Sequence, residues 1–467
     1  MIKEKNMREP SRRDFMKSAA AGLAGLSLTA GKVRSAMSTD RLPDFIIIFV
    51  DDMGYGDWNR AGHPTIRTPN LNRMADEGVV MTQFYSAAAV CSPSRASLLT
   101  GRYPVRNGVI RVLNPMDALG LPDSELTLAQ PLKKKGYATA AIGKWHLGHL
   151  PQYLPTHRGF DSYFGVPYSN DMDKKERGHP PIPLMRGEKI IEQPCDQDTL
   201  TKRYTEEAVR LINEYKDRPF FIYLAHSMPH VPLHASEAFR GKSKRGLYGD
   251  VIEEIDWSVG QVLDALQQAG IDHHTFVAFT SDNGPWAIQK QAGGSAGLLR
   301  GSKASTWEGG VREPFIARFP EQLPKGVVNS EVGSTMDLFT TCLSLAGVDV
   351  PNDRPIDGKN LLPVLKGEGK SPHEVLYYFW SNRLTAIRVG RHKLHFRVVN
   401  ADNKWQDCAA PELYDLEADP SERFDLAADL PETVAKLAAE AERIKAEIAE
   451  RGENKELIEQ LLPRKQN

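Results

Sequence analysis

Phe45-Ile46-Ile47-Ile48-Phe49-Val50 is apolar at every position, and Asp51-Asp52 follows it at once. A β-branched and aromatic run with no polar alternation buries both of its faces. That is the pattern of a central strand in a parallel sheet covered by helices on either side. Similar runs occupy residues 137–142, 220–224 and 275–280, and amphipathic helical patterns at 201–215 and 250–269 lie between some of them. Strand runs alternating with helical segments predict an α/β fold. Each run ends on polar residues of a particular kind. The first leads to Asp51 and Asp52, the second to Lys144 and His146, the third to His226 and His230, and the fourth to Asp282 and Asn283. Open α/β sheets carry their sites beyond the carboxyl ends of the strands, so four such endings predict one shared pocket.

The rest of the chain sets bounds on this reading. Its 467 residues are 41% hydrophobic and 25% charged, enough for a large core and more than one domain. The formal net charge is −1, so no basic field drives nucleic-acid binding. Residues 1–36 hold eight Lys/Arg and three Asp/Glu, which leaves the remainder mildly acidic. Arg12-Arg13, then Phe15 and the uncharged stretch 18–31, resemble a twin-arginine export signal over residues 1–37. The stretch is too short for a membrane span of about 20 residues, and no stable membrane anchor is expected. Such a signal implies a bacterial periplasmic or secreted protein, exported folded by the twin-arginine translocase. Four cysteines, Cys91, Cys195, Cys342 and Cys408, form neither a disulfide framework nor a zinc pattern.

Composition shifts after about residue 345. A Pro/Gly-rich connection at 351–370 leads to strands at 375–380, 385–389 and 392–398 and to a long Ala/Glu/Lys-rich helix at 430–451. We therefore expect a main domain over 42–348 and a smaller α+β domain over 349–467.

The chemistry centres on Cys91-Ser92-Pro93-Ser94-Arg95, followed by Leu99-Thr100-Gly101-Arg102. Ser92 reads as an N-cap, Pro93 as the first helical residue and Gly101 as the stop. Cys91 is then expected at a helix N-terminus, where unpaired N–H groups and the dipole favour an anion. Asp51, Asp52, Asp282 and Asn283 offer only oxygen ligands, which suit a hard cation.

These segments resemble the type I, formylglycine-dependent sulfatases, closest in flavour to the arylsulfatase A branch. Supporting segments are Gly143-Lys144-Trp145-His146-Leu147-Gly148, Ser281-Asp282-Asn283-Gly284, Gly301-Ser302-Lys303 and Glu308-Gly309-Gly310-Val311-Arg312, with Pro167-Tyr168-Ser169 and Glu412-Leu413-Tyr414-Asp415-Leu416. The resemblance runs through residues 42–450 in order. It implies an alkaline-phosphatase-like mixed sheet flanked by helices, plus a C-terminal four-stranded antiparallel sheet with a helix. It also implies hydrolysis of a sulfate monoester of a sugar or aryl alcohol, with Cys91 oxidised to formylglycine (3-oxoalanine) by a formylglycine-generating enzyme.

Calcium, with magnesium second, would be held by Asp51, Asp52, Asp282, Asn283 and residue 91. Cys91, Arg95, Lys144, His146, His230 and Lys303 would form the catalytic set. Lys144, His230, Lys303 and Ser169 would bind substrate, and Asp282 would assist as base. His226 competes with His230 for the third strand's end, and the context Val231-Pro232-Leu233 favours His230. His149, His226, His234, Trp286 and Arg300 are further candidates for the pocket lining. Two alternatives stay open: a phosphodiester or phosphonate monoester hydrolase with the same nucleophile, and a non-catalytic binder of sulfated glycans.

Overall fold

The computed structural model describes residues 41–400, 402–451 and 454–462. The proposed export signal over 1–37 lies outside them. Among the described residues fifteen strands run in chain order: β1 (Asp44–Val50), β2 (Val79–Tyr85), β3 (Ala138–Gly143), β4 (Ser162–Gly165), β5 (Leu184–Arg186), β6 (Lys189–Glu192), β7 (Phe220–Ala225), β8 (Thr275–Ser281), β9 (Arg312–Glu313), β10 (Phe315–Arg318), β11 (Val327–Ser334), β12 (Val375–Trp380), β13 (Arg383–Val389), β14 (His392–Val399) and β15 (Trp405–Asp415). The large mixed sheet has the order β11-β2-β10-β8-β1-β7-β3-β4-β5-β6, with β9 paired to β2.

The opening stretch sits near the middle of this sheet. Successive side chains of a strand point to opposite faces, and β1 divides accordingly. Ile46, Ile48 and Val50 join one core with helices Leu200–Tyr215 and Leu247–Gln268. Phe45, Ile47 and Phe49 join the other with helices Cys91–Thr100 and Asp337–Leu345. Two cores on the two faces of one sheet make a three-layer α/β body.

Register then fixes the pocket. β1 runs parallel to β8 with Val50 opposite Ser281, and parallel to β7 with Phe49 opposite Ala225. β3 runs parallel to β7 with Gly143 also opposite Ala225. The carboxyl ends of β3, β7, β1 and β8 are therefore level, and the residues after them open onto one edge.

The second sheet, β12-β13-β14-β15, is antiparallel throughout. The helix Pro431–Arg451 covers one face with Leu437, Ala441 and Ile444, which share a stripe at helical spacing. On the other side Leu376, Tyr378 and Ala386 pack with Tyr85, Ala89 and Val311 of the main body. The described residues from Leu42 onward form one compact unit. The Pro/Gly-rich connection at 351–370 contains a short helix, Leu362–Leu365. Among the described residues no helix is long and apolar enough to cross a membrane.

Candidate active site

Cys91 begins the helix Cys91–Thr100 and is 2% exposed. The expected cap is corrected here. Val90, in extended conformation, is the N-cap, and Ser92 is already helical. The Ser92 hydroxyl instead accepts the backbone N–H of Leu113 at 3.0 Å, a tertiary bond that outcompetes local capping. Gly101 ends the helix in the left-handed region at φ 68°. Cys91 is thus at the helix N-terminus as its surroundings suggested. Burial pushes its thiol pKa up despite Lys144 and Lys303, so the unmodified side chain is no thiolate nucleophile.

Around Cys91 the strand ends converge. One ligand atom each from Asp51, Cys91 and Asp282 lie within 4.8 Å of one another, and the same holds for Asp51, Asp52 and His230. The Asp52 N–H donates to Asp282 Oδ1 at 3.1 Å, and Asn283 Nδ2 donates to Asp52 Oδ1 at 2.8 Å. Asp52 takes a φ of 69° and His146 one of 59°, sparsely populated for non-glycine residues and held here by the surrounding bonds. Gly143 is obligatory: a Cβ there would stand 1.8 Å from the Ala225 carbonyl oxygen. That close approach sets the Lys144 N–H 2.7 Å from the same oxygen and turns the chain into the pocket.

Three cations face the three carboxylates. Lys144 Nζ donates to Asp51 Oδ2 and, at 3.0 Å, to Ser169 Oγ. Lys303 Nζ lies 2.7 and 2.8 Å from the two oxygens of Asp52. Arg95, fully buried, donates to Asp282 Oδ2 at 2.8 Å and to the Lys144 carbonyl at 3.3 Å. Burial acts to raise the Asp51 pKa, but Lys144, His230 and Arg95 outweigh it and hold the group well below the usual carboxylate range. Burial and then the Asp51 charge push Asp282 up to about 7.

The histidines differ sharply. His146 Nε2 donates to the Leu113 carbonyl at 2.8 Å, while its buried Nδ1 has no partner. Burial and Lys144 hold that ring well below its ordinary pKa, so it is a neutral base. His230 Nδ1 donates to the Val231 carbonyl at 2.5 Å, and its Nε2 faces Asp52 Oδ2 at 3.7 Å. His226 points into the core, where Nε2 meets Ser258 Oγ at 3.2 Å, so it stands apart from the cluster.

Among the other lining candidates, Trp286 belongs to the cluster. Its ring lies 5.3 Å from that of His230 and 4.6 Å from Lys303 Nζ. His149 is half-buried beside Tyr168, and His234 pairs with Asp198. Arg300 does not line the site. It stacks on Trp307 at 3.7 Å and donates to the Glu422 carbonyl, facing the second sheet.

Sequence reasoning passed over two supporting residues. Asn170 Nδ2 donates to the Pro232 carbonyl at 3.1 Å and steadies the His230 segment. Asp57 accepts Gly54 N–H at 2.7 Å, Tyr248 Oη–H at 2.6 Å and Ser295 N–H at 2.8 Å, tying the turn after Asp52 to the loop before Lys303. Only the adjacency of Asn170 to Ser169, and the Gly54-Tyr55-Gly56-Asp57 turn, hinted at either.

Asp51 Oδ1 and Asn283 Oδ1 are buried oxygens without a hydrogen-bond partner. Orphaned buried oxygens beside two further carboxylates fit a hard divalent cation. A family model described as Sulfatase matches residues 43–348. The chain belongs to the sulfatase family. Its enzymes hydrolyse sulfate esters, and this sulfatase is one of them. A second model, N-sulphoglucosamine sulphohydrolase, C-terminal, matches residues 302–449. The sulfatase is 42% identical over 409 residues to N-acetylgalactosamine-6-sulfatase of Canis lupus familiaris, covering 83% of this chain and 78% of that one. It is 38% identical over 440 residues to arylsulfatase A of Homo sapiens, covering 86% and 85%. A solved sulfatase from Pseudoalteromonas sp. superposes with a TM-score of 0.80 at 29% identity, covering 94% of each chain.

Proposed function

We propose that this sulfatase cleaves the sulfate ester of a sulfated carbohydrate at residue 91, after oxidation of Cys91 to formylglycine by a maturation enzyme. The observation that carries this is the placing of Cys91, at a helix N-terminus, within 4.8 Å of the Asp51 and Asp282 carboxylates. The similarity to N-acetylgalactosamine-6-sulfatase supports the sugar class. Arg12-Arg13 and the apolar stretch after it support export of the folded chain to a bacterial periplasm or beyond.

Oxidised and hydrated, residue 91 supplies two geminal hydroxyls, one to attack sulfur and one to expel sulfate afterwards. A calcium ion, or magnesium in second place, held by Asp51, Asp52, Asp282, Asn283 and residue 91, supplies Lewis-acid polarisation and charge. The remaining work falls to the protein's own side chains. Lys144, Lys303 and Ser169 receive the sulfate oxygens, and the two ammonium groups offset charge as the sulfur–oxygen bond breaks. Asp282, tied to Arg95, takes the proton of the attacking hydroxyl. His230 Nε2 hands a proton to the departing sugar oxygen. Burial and Lys303 outweigh Asp52 and hold this ring below its ordinary pKa, so with Nδ1–H committed to the Val231 carbonyl it acts in its imidazolium form, with the second proton on Nε2. His146 Nδ1 takes the proton of the second hydroxyl, the carbon–oxygen bond to sulfate breaks, and the aldehyde returns. Arg95 contacts the carboxylates and not the pocket, which makes it a positioning group.

The test is sulfate release by protein co-produced with a formylglycine-generating enzyme. Substrates are N-acetylgalactosamine 6-sulfate, an aryl sulfate and matched phosphate and phosphonate esters, with Cys91→Ala as control. Release from the sugar sulfate, lost in Cys91→Ala, is expected. Confirmed aldehyde at position 91 with turnover of phosphorus esters alone, or of nothing, overturns the reading.

A further inference from the structure

Residues 240–245 carry Arg240, Lys242, Lys244 and Arg245, four cations in six residues of a chain whose formal net charge is −1. The loop is rigid. The buried Asp250 carboxylate accepts the N–H groups of Gly241, Lys242 and Ser243 at 2.7, 2.9 and 2.7 Å. Two of the cations are committed. Arg240 pairs with Asp198, and Arg245 donates to the Gln291 and Gly293 carbonyls at 3.0 and 3.1 Å. Lys242 and Lys244 are exposed and form no ion pair among the described residues.

Beside the loop is a cavity of about 570 Å³, lined among others by Thr65, Leu233, Lys244, Arg245, Tyr248 and Gln291. This is an ordinary size for a ligand site. The lining holds two cations and no carboxylate. The nearby acidic groups are spent: Asp198 on Arg240 and His234, Asp250 on the loop amides, and Asp57 on Tyr248 and two backbone N–H groups.

Three segments tie the cavity lining to residues of the active site. Leu233 is three residues from His230, so their Cα atoms are at most about 11 Å apart. Tyr248 donates to Asp57, five residues after Asp52. Gln291 belongs to the loop that begins with Trp286, whose ring covers Lys303.

We propose that the loop 240–245 and this cavity form a second anion site, which receives a further sulfate or carboxylate of the same polyanionic carbohydrate, with Lys244 as the contacting cation and Lys242 reinforcing it. The site rests on the carbohydrate reading above and extends it. Fixed backbone keeps the ordering cost of binding low. Exposed lysines act through a screened field, so the effect weakens with salt.

The experiment compares kcat/KM of Lys242→Ala/Lys244→Ala with the parent protein on N-acetylgalactosamine 6-sulfate and on a trisaccharide bearing that group beside a uronate and a second sulfate. We expect a fall of about fivefold to tenfold on the trisaccharide, carried by KM and largest at low salt, and no change on the monosaccharide. An unchanged trisaccharide KM, or an equal loss on both substrates, overturns the site. Binding of the same trisaccharide to Cys91→Ala protein, with and without the two lysines, reads the site independently of turnover. A sulfatase inactive on every sugar would therefore refute the carbohydrate reading, and the binding arm would still decide the anion site.

Discussion

The ammonium of Lys303 lies 2.7 and 2.8 Å from the two carboxylate oxygens of Asp52, beneath the ring of Trp286 at 4.6 Å. One lysine thus neutralises a carboxylate of the acidic cluster and, in the proposed mechanism, faces the place where sulfate charge develops. Burial acts to lower its pKa, but Asp52 outweighs that and holds it above the usual lysine value, so it stays charged. Lys303→Ala should lower kcat for sulfate-ester hydrolysis by about 10²–10³-fold, the usual effect of deleting one such donor. Lys303→Arg should recover little of this, because the longer and wider guanidinium cannot take the compact ammonium's buried place against both Asp52 oxygens. Steady-state kinetics on both variants, with a melting curve to show intact folding, checks it.

His230 and His146 should separate by leaving group. If His230 protonates the departing oxygen, His230→Ala should cost about 10²–10⁴-fold on a sugar sulfate and far less on 4-nitrophenyl sulfate, whose phenolate leaves unaided. His146→Ala should slow the second half of the cycle on both substrates if, as proposed, its unpartnered Nδ1 serves the elimination. The sulfated form of residue 91 should then accumulate, visible by mass spectrometry of quenched protein. Equal losses on both substrates in His230→Ala would count against its role as acid.

Much of this architecture is legible in the sequence because buried parallel strands announce themselves. Residues 45–50 of β1 are all apolar, and the residues after such a strand must emerge at the sheet's carboxyl edge. The bounds of β1, β3, β7, β8 and β12–β14 are legible within a residue or two, the slack coming from loop residues such as Arg383 that extend a ladder beyond the apolar run. By contrast β2, β4–β6, β9–β11 and β15 carry no such continuous run and are not read as strands. What periodicity misreads, leaves to context or misses depends on tertiary partners. Ser92 looks like a cap until Leu113 supplies a competing N–H. His226 and His230 are inseparable by periodicity, and only the turn after β7 sends one into the core beside Ser258 and the other toward Asp52. Arg300 looks like a pocket cation but stacks on Trp307. Asp57 is hinted at only by the Gly54-Tyr55-Gly56-Asp57 turn, because its partners Tyr248 and Ser295 lie far along the chain.

Removal of divalent metal should act on stability as well as activity. Asp51 Oδ1 and Asn283 Oδ1 are orphaned in a buried site, and a cation bound to the folded state alone stabilises it by about 2.7 kcal/mol at a hundredfold excess over Kd. Dialysis against a chelator should lower Tm, calcium should restore it in a concentration-dependent way, and Asn283→Ala should shift that titration to higher calcium. A Tm indifferent to calcium in Cys91-only and in matured protein alike would remove the metal from this site.

A second cluster of buried charge joins the two sheets and gives a pH dependence of known sign. Glu308 accepts Lys393 Nζ at 2.8 Å and Tyr85 Oη–H at 2.6 Å, while Lys393 also lies 3.1 Å from Glu422. The Glu422 carboxylate in turn accepts the Glu308 N–H at 2.6 Å and holds His395 at 2.7 Å. Burial acts to raise the Glu308 pKa, but Lys393, Arg312 and Arg388 outweigh it and bring it down to about 2. A carboxyl with a depressed folded-state pKa contributes stability that is full above its unfolded value near 4.5 and is lost as pH falls toward 2. Tm should therefore decline as pH falls from about 5 toward 2, in part through this group. Lys393→Met should destabilise at pH 7 by about 3–5 kcal/mol, because it strands Glu308 and Glu422 without their shared cation. The same variant should show a shallower decline of Tm between pH 5 and 3, since Glu308 then has less depression to lose. Thermal melts of both proteins across that range decide it, and parallel curves would show that the cluster's charge does not hold the second sheet to the first.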